Sequence, residues 1–260
     1  GREFEPAPAS EDAPTPVSNR APFDTASCEV VEEFRPEVVS FHFGLPEKAL
    51  LDRVKATGAK VLSSATTVEE AIWLERHGCD AIIAMGYEAG GHRGMFLSDR
   101  LTSQIGTMAL VPQIVDAVSV PVIAAGGIGD ARGMVAAFAL GASAVQIGTA
   151  YLFTPEATIT PAHHQALHSA QASETALTNL FTGRPARGIV NRVMRELGPI
   201  NPAAPAFPLA GGALMPLRAL DEADFSSLWA GQALRLGQDL STRELTLNLA
   251  RQALAQLNKR

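Results

Sequence analysis

Short apolar runs recur along the first 150 residues, and an amphipathic stretch separates each run from the next. The runs are rich in β-branched residues and lack polar alternation, which is typical of strands buried on both faces of a sheet. They predict five strands, at residues 38–43, 60–64, 81–85, 120–125 and 144–147.

The stretches between these runs carry helix signals. Thr67 followed by Glu70 is a capping-box pattern, and Asp130 stands where it can cap a later helix. The pattern predicts helices at residues 23–34, 46–57, 67–77, 103–118 and 130–140. Pro112 is a point where the fourth of these helices can break.

Strict alternation of strands and helices predicts an α/β fold with a parallel sheet or barrel. A closed TIM (β/α)8-type barrel has eight strands, and the sequence predicts five. If residues 120–125 and 144–147 form the last two barrel strands, strands 4–8 are present and the first three are absent. We therefore expect an incomplete barrel, or a fragment of a longer protein.

The pattern changes after Thr149, where residues 160–182 and 221–257 are predicted as helices around a Pro/Gly-rich stretch. Residues 1–22 contain five prolines among Ala, Ser and Glu, a composition typical of a linker or surface loop. The predicted organisation is a linker at 1–22, βα-barrel units at 23–158, and a helical C-terminal extension packed on the barrel at 159–260.

Composition excludes several classes of function. The 260 residues are 47% hydrophobic and carry a net charge of −6, without a basic block, so nucleic acid is not expected as a partner. No apolar run approaches the roughly 20 residues that a membrane span needs. Cys28 and Cys79 lack metal-ligand spacing and are interpreted as reduced thiols of a cytoplasmic protein.

Three glycine-containing loops follow predicted strands. The first, residues 86–94, includes His92, and the others are residues 124–130 and 146–150. Barrel enzymes commonly bind phosphate with the loops after strands 7 and 8, where glycine exposes N–H groups near a helix N-terminus. Gly126 and Gly148 therefore predict a phosphate site, with the hydroxyl of Thr149 as a further donor.

The histidines are assigned different roles according to their places in the predicted strands, loops and helices. His92, inside a glycine loop at a strand end, is the candidate functional residue. His42 is either a second group at the barrel mouth or a packed core histidine. His164 and His168 are spaced i, i+4 without a third ligand, so no metal site is predicted. Glu88 is interpreted as solvated or paired with Arg93, with an acid/base role as the alternative.

These motifs resemble one enzyme family. The segments GYEAGGHRG, PVIAAGGIGDARG, GASAVQIGTAYLFTPE, VVSFHFGLPE, VLSSATTVEEA and GRPARGIVNRVMRE are similar to those of the nitronate monooxygenases, which are FMN-dependent TIM barrels. The resemblance implies oxidation of an alkyl nitronate or nitroalkane by O₂ to a carbonyl compound and nitrite. It implies that His92 acts on the substrate and that the flavin is bound by Gly86, Gly91, Gly126, Gly127, Gln146, Ile147, Gly148 and Thr149.

Several alternatives stay open. The family's flavin-contacting Pro-Met segment at the first strand has no counterpart here. A flavin-dependent enoyl-acyl carrier protein reductase shares the barrel and the EAGGH loop, and a truncated, inactive barrel is the non-enzymatic alternative. A dehydrogenase of the inosine-monophosphate type needs a nucleophilic loop cysteine, which neither Cys28 nor Cys79 provides. Motifs do not decide the physiological substrate, the oligomeric state, or whether His92 is a base or a hydrogen-bond donor.

Overall fold

A computed structural model describes residues 22–169, 173–219 and 222–259. The predicted linker lies outside these residues except for Pro22. Within the described part of the chain, no helix is both long and apolar enough to cross a membrane.

Five parallel strands form the main sheet, in the order β1-β2-β3-β5-β6. Their bounds are Val38–Phe41 (β1), Lys60–Ala65 (β2), Ala81–Met85 (β3), Val122–Ala125 (β5) and Ala144–Gln146 (β6). The register pairs Met85 with Ala125 and Ala125 with Gln146. The loops that follow β3, β5 and β6 therefore leave the sheet side by side. The prediction of an α/β fold with a parallel sheet is confirmed.

A helix follows or precedes each strand of the sheet, as predicted. The bounds are Thr25–Phe34 (α1), Lys48–Ala56 (α2), Val68–Arg76 (α3), Thr107–Ala117 (α4) and Ala131–Ala139 (α5). The side chain of Thr67 accepts from the Glu70 amide at the start of α3, and Asp130 caps α5. Fully buried side chains between sheet and helices, such as Val61, Ile82 and Ile114, each stabilise the fold by roughly 1.5–3 kcal/mol.

One local expectation was wrong, and one possible break does not occur. Helix α4 continues through Pro112, and its residues Leu110, Val111 and Ile114 are buried. The Glu70 carboxylate does not return to the Thr67 cap. It accepts instead from Thr66 and from the amides of Phe96 and Leu97, so it ties α3 to the loop beyond β3.

A second, three-stranded sheet lies beside the first, in the order β4-β8-β7. Its strands are Gly91–His92 (β4), Thr175–Thr178 (β7) and Ala186–Ile189 (β8), all antiparallel. The predicted helix at 160–182 is therefore wrong beyond α6, Pro161–Leu167. Pairing between β7 and β8 overrides the local helical pattern, because strand partners are chosen by tertiary contacts.

The predicted helix at 221–257 is also only partly formed. The segment contains two helices, Glu222–Phe225 (α9) and Thr242–Leu257 (α10), and a 3₁₀ turn between them at Leu234–Leu236. Helix α10 begins with a capping box formed by Ser241 and Glu244. Two short helices precede α9, namely Arg192–Leu197 (α7) and Met215–Arg218 (α8). The division into barrel units and C-terminal extension stays a prediction.

Candidate active site

A cavity of about 410 Å³ opens at the carboxyl ends of β3, β5 and β6. Three loops form most of its wall, and each follows one of these strands. The predicted residues that line it are His42, Gly91, His92, Gly126, Gly127, Gln146, Gly148 and Thr149. The parallel register brings together residues that are far apart in the chain, and the cavity has the size of an ordinary ligand site.

Two predicted residues do not line this cavity. Gly86 packs against helix α4, where an added Cβ would lie 1.8 Å from the Thr107 hydroxyl. Ile147 is partly buried and packs against the hydrophobic core instead. Gly86 therefore serves close packing in this structure, and the flavin contact that the resemblance implied for both residues stays a prediction.

Arg93 is fully buried and holds the beginning of the glycine loop. Its guanidinium donates to the carbonyls of Gly86 (2.6 Å) and Met85 (2.8 Å) and to the side chain of Gln104 (2.8 Å). Burial, followed by the neighbouring charge of Arg187, lowers the pKa of Arg93 to about 10. The side chain remains a cation at neutral pH.

Arg187 of β8 holds the next peptide group of the same loop. Its Nε and Nη2 donate to the carbonyl of Tyr87 at 3.1 and 3.0 Å, and its guanidinium lies 4.8 Å from the Tyr87 ring centroid. Two buried guanidinium groups thus bind three successive carbonyls of residues 85–87. The path of the loop toward His92 is set by these bonds.

Glu88 has a structural role that the sequence did not reveal. Its carboxylate accepts from the Thr107 amide at 2.8 Å and from the Thr107 hydroxyl at 2.8 Å, so it caps helix α4. The predicted pairing of Glu88 with Arg93 is therefore wrong, because Arg93 donates to carbonyls and to Gln104.

The glycines of the second and third loops expose main-chain N–H groups to the cavity. Gly126 and Gly127 have φ of +106° and +71°, a conformation that favours glycine. In the described part of the chain, the amides of Gly127 and Gly148 donate no hydrogen bond. An added Cβ at Gly148 would meet nothing within 4 Å, so this position is open to a ligand.

The helix that contributes to this site differs from the predicted one. Asp130 accepts from the amides of Arg132 and Gly133, so its own carboxylate occupies the N-terminus of α5. A 3₁₀ turn at Thr149–Phe153 begins at the cavity instead. The Thr149 hydroxyl accepts from the Gly231 amide at 2.9 Å, which leaves its hydrogen for another acceptor.

His92 lies on the cavity wall among three aromatic rings. The ring centroids of Phe43, Phe207 and Trp229 are 5.9, 5.9 and 5.5 Å from its own. Its Nε2 lies 2.9 Å from the hydroxyl oxygen of Thr182. Aromatic surfaces and the short polar contact with Thr182 therefore help to position the imidazole.

His42 reaches the same cavity, but the protein uses both of its nitrogens. Nδ1 lies 3.1 Å from the Ser64 hydroxyl, and Nε2 lies 3.2 Å from the main-chain carbonyl oxygen of His92. Burial lowers the pKa of His42, and the charges of Arg93 and Arg184 act in the same direction. A neutral His42 that supports His92 fits this geometry better than a group that binds substrate.

The sequence reasoning missed the contribution of residues 228–232. Trp229 and Gly231 line the cavity, and the Gln232 amide donates to the carbonyl of Glu88 at 2.9 Å. An added Cβ at Gly90 would lie 2.5 Å from the Gly231 nitrogen. The glycine pair was the available signal, because two backbones approach this closely only where neither carries a side chain.

Comparison with known proteins identifies the family. The family model for nitronate monooxygenase matches residues 9–252. A nitronate monooxygenase of Pseudomonas aeruginosa is 45% identical over 222 residues, and a probable one of Staphylococcus saprophyticus is 40% identical over 249. The chain belongs to the nitronate monooxygenase family. It covers 63% of the length of the first relative and 70% of the second, which in turn match 84% and 94% of this chain.

Solved structures agree with this membership of the nitronate monooxygenase family. A nitroalkane oxidase from Streptomyces ansochromogenes superimposes with a TM-score of 0.82 at 40% identity, over 88% of this chain and 67% of that one. FabK from Thermotoga maritima gives 0.72 at 29% identity, over 92% and 75%. The nitronate monooxygenase family implies an oxidoreductase with a flavin cofactor.

Proposed function

We propose that this protein oxidises alkyl nitronates or nitroalkanes with FMN and O₂, yielding a carbonyl compound and nitrite. The observation that carries the proposal is the position of His92, which lines one cavity together with the open glycine loops of Gly127 and Gly148. The substrates are small molecules, and propionate 3-nitronate is one candidate.

The residues present fit an anionic cofactor such as FMN. The amides of Gly127 and Gly148 and the hydroxyl of Thr149 are donors without an acceptor for their hydrogens among the described residues, and all three residues line the cavity. They would hold the phosphate group of FMN, which oriented amides bind well. Gly91, whose added Cβ would meet nothing within 4 Å, leaves room for the ring system. Bound FMN would supply the redox chemistry between the substrate and O₂.

His92 supplies the acid/base chemistry in this proposal. Among the described residues that line the cavity, none is lysine or arginine. An anionic nitronate must therefore be bound by uncharged hydrogen-bond donors or by a protonated imidazole. His92 lines the cavity and can donate such a hydrogen bond. For a neutral nitroalkane, the same imidazole takes the Cα proton, which converts the substrate to its nitronate.

An anaerobic reduction experiment tests the proposal. The protein is loaded with FMN and mixed with propionate 3-nitronate or with NADH, and the flavin absorbance is followed. We expect rapid bleaching by the nitronate, and carbonyl product and nitrite after O₂ is admitted.

Other outcomes would contradict the proposal. Rapid bleaching by NADH, with none by the nitronate, would support the enoyl-acyl carrier protein reductase instead. The comparisons do not favour that alternative, since FabK is 29% identical and the nitroalkane oxidase 40%. A folded protein that binds no FMN would support the inactive barrel.

We place the protein in the cytoplasm. Cys28 and Cys79 are buried and unpaired, which fits a reducing compartment. Burial raises the pKa of Cys79 to about 12, so its thiol is protonated and unreactive at neutral pH.

A further inference from the structure

The hydroxyl group of Thr182 has three polar neighbours, and their chemistry determines whether the hydroxyl donates or accepts in each hydrogen bond. It lies in the connection between β7 and β8 and is 7% exposed. The hydroxyl oxygen is 2.9 Å from His92 Nε2, 3.3 Å from the carbonyl oxygen of Arg184, and 3.4 Å from the Arg184 amide nitrogen.

A hydroxyl has one hydrogen to donate and two lone pairs that accept. The Arg184 carbonyl can only accept, so its contact requires the Thr182 hydrogen. The Arg184 amide can only donate and uses one lone pair. The remaining lone pair is available to His92. The contact between Thr182 and His92 is therefore a hydrogen bond when His92 Nε2 carries a hydrogen and donates it to the hydroxyl oxygen. If the Thr182 hydroxyl donated to His92 Nε2 instead, the Arg184 carbonyl would lose its hydrogen bond from Thr182.

We propose that Thr182 is a positioning residue that fixes the neutral imidazole of His92 with its hydrogen on Nε2. The rings of Phe43, Phe207 and Trp229 hold the imidazole in place, but they do not distinguish its two nitrogens. Thr182 does so, because its hydroxyl hydrogen goes to the Arg184 carbonyl.

The kinetic consequence rests on the proposed function. With its hydrogen on Nε2, neutral His92 carries its basic lone pair on Nδ1. The Cα proton of a nitroalkane then goes to Nδ1, and the C–H electron pair stays on the substrate as the nitronate. The resulting imidazolium keeps its Nε2 hydrogen bond to Thr182. A substrate supplied as the nitronate skips this proton transfer.

The first test observes the tautomer and needs neither flavin nor turnover. Nitrogen NMR of the protein at a pH where the ring is neutral should show His92 with its hydrogen on Nε2. Thr182→Val is similar in shape but lacks the hydroxyl, and should give a mixture of tautomers. Thr182→Ser should restore the wild-type pattern. An unchanged tautomer in a folded Thr182→Val variant, or a wild-type ring with its hydrogen on Nδ1, would overturn the proposal.

The second test compares two substrates in the FMN-loaded protein. We expect Thr182→Val to lower kcat/KM for a neutral nitroalkane about tenfold or more, the effect of one lost hydrogen bond to a charged group. We expect less than about a threefold change for the preformed nitronate, and recovery with Thr182→Ser. An equal loss for both substrates would assign Thr182 a merely structural role. If the wild type oxidises neither substrate, the proposed function fails, while the NMR test of Thr182 still stands.

Discussion

The imidazole Nε2 of His42 lies 3.2 Å from the main-chain carbonyl oxygen of His92. A carbonyl oxygen only accepts, so His42 donates from Nε2, and a neutral ring then accepts at Nδ1 from Ser64. An added Cβ at Gly94 would lie 2.8 Å from His42 Cε1. The end of β1 thus supports the loop after β3 at the residue on which the proposed chemistry depends.

We expect His42→Leu to destabilise the fold by about 0.5–1.5 kcal/mol, because the carbonyl of His92 loses its hydrogen-bond donor. Urea unfolding measures the change. Ser64→Ala is the matched control, since it removes the other contact of the ring and leaves the donor to His92 in place. It should cost less than His42→Leu. Equal losses in both variants would contradict the role assigned to the His42–His92 bond.

The pH dependence of stability should report the same residue. Burial lowers the pKa of His42, so the unfolded chain takes up the proton first as the pH falls. Stability should therefore decrease below about pH 6.5, the ordinary histidine value. His42→Gln should remove part of this decrease, as seen in urea midpoints between pH 7.5 and 5.

Two other histidines contribute to that profile. Burial also lowers the pKa of His163, which acts like His42. The pKa of His168 is raised by the His164 carbonyl and by Asp239. Its stabilisation is present at low pH and is lost as pH rises through the raised value. His168→Gln is therefore the control of opposite sign, and should steepen the loss on acidification.

We expect His92→Ala to bind FMN while turnover of a nitroalkane falls about 10²–10⁴-fold, the contribution typical of a general base. Steady-state nitrite release and flavin absorbance measure the two effects separately. His77→Ala, which removes an exposed imidazole stacked on Trp73, should leave both unchanged. Normal turnover by His92→Ala would exclude His92 from the mechanism.

Gly148→Ala should separate cofactor binding from folding. Its φ is −109° and an added Cβ meets no protein atom within 4 Å, so stability should change by less than about 0.5 kcal/mol. The methyl group would occupy cavity space, and we expect the FMN Kd to rise about tenfold, measured by fluorescence titration. Gly86→Ala is the contrasting variant, because its Cβ would collide with Thr107 and prevent normal folding. Unchanged FMN affinity in Gly148→Ala would indicate that FMN does not bind at this loop.

Arg93→Lys should show that the buried guanidinium holds the glycine loop. Lysine keeps the charge but cannot donate to Met85, Gly86 and Gln104 together, so we expect a loss of about 2–4 kcal/mol in urea unfolding. Arg53→Lys, at a partly exposed ion pair with Glu32, should change stability by about 1 kcal/mol or less. Similar small effects in both variants would contradict the role of Arg93.

Local patterns were sufficient for much of the fold. The run Ala81–Met85 was predicted with its exact ends, and its five residues are all buried. Thr67 and Asp130 cap helices as expected, because a cap depends only on the residues beside it. The strand Thr175–Thr178 was missed because its partner, Ala186–Ile189, lies beyond an intervening turn.

The candidate site divides in the same way. The sequence alone determined the parallel strand–helix units, the glycine loops at strand ends, and His92 within one of them. All of these follow from short-range spacing and from the chemistry of single residues. Only the tertiary structure decided that Glu88 caps α4, that Thr182 contacts His92, and that Trp229 and Gly231 line the cavity. These contacts join distant segments, and hydrogen-bond geometry, rather than sequence spacing, selects them.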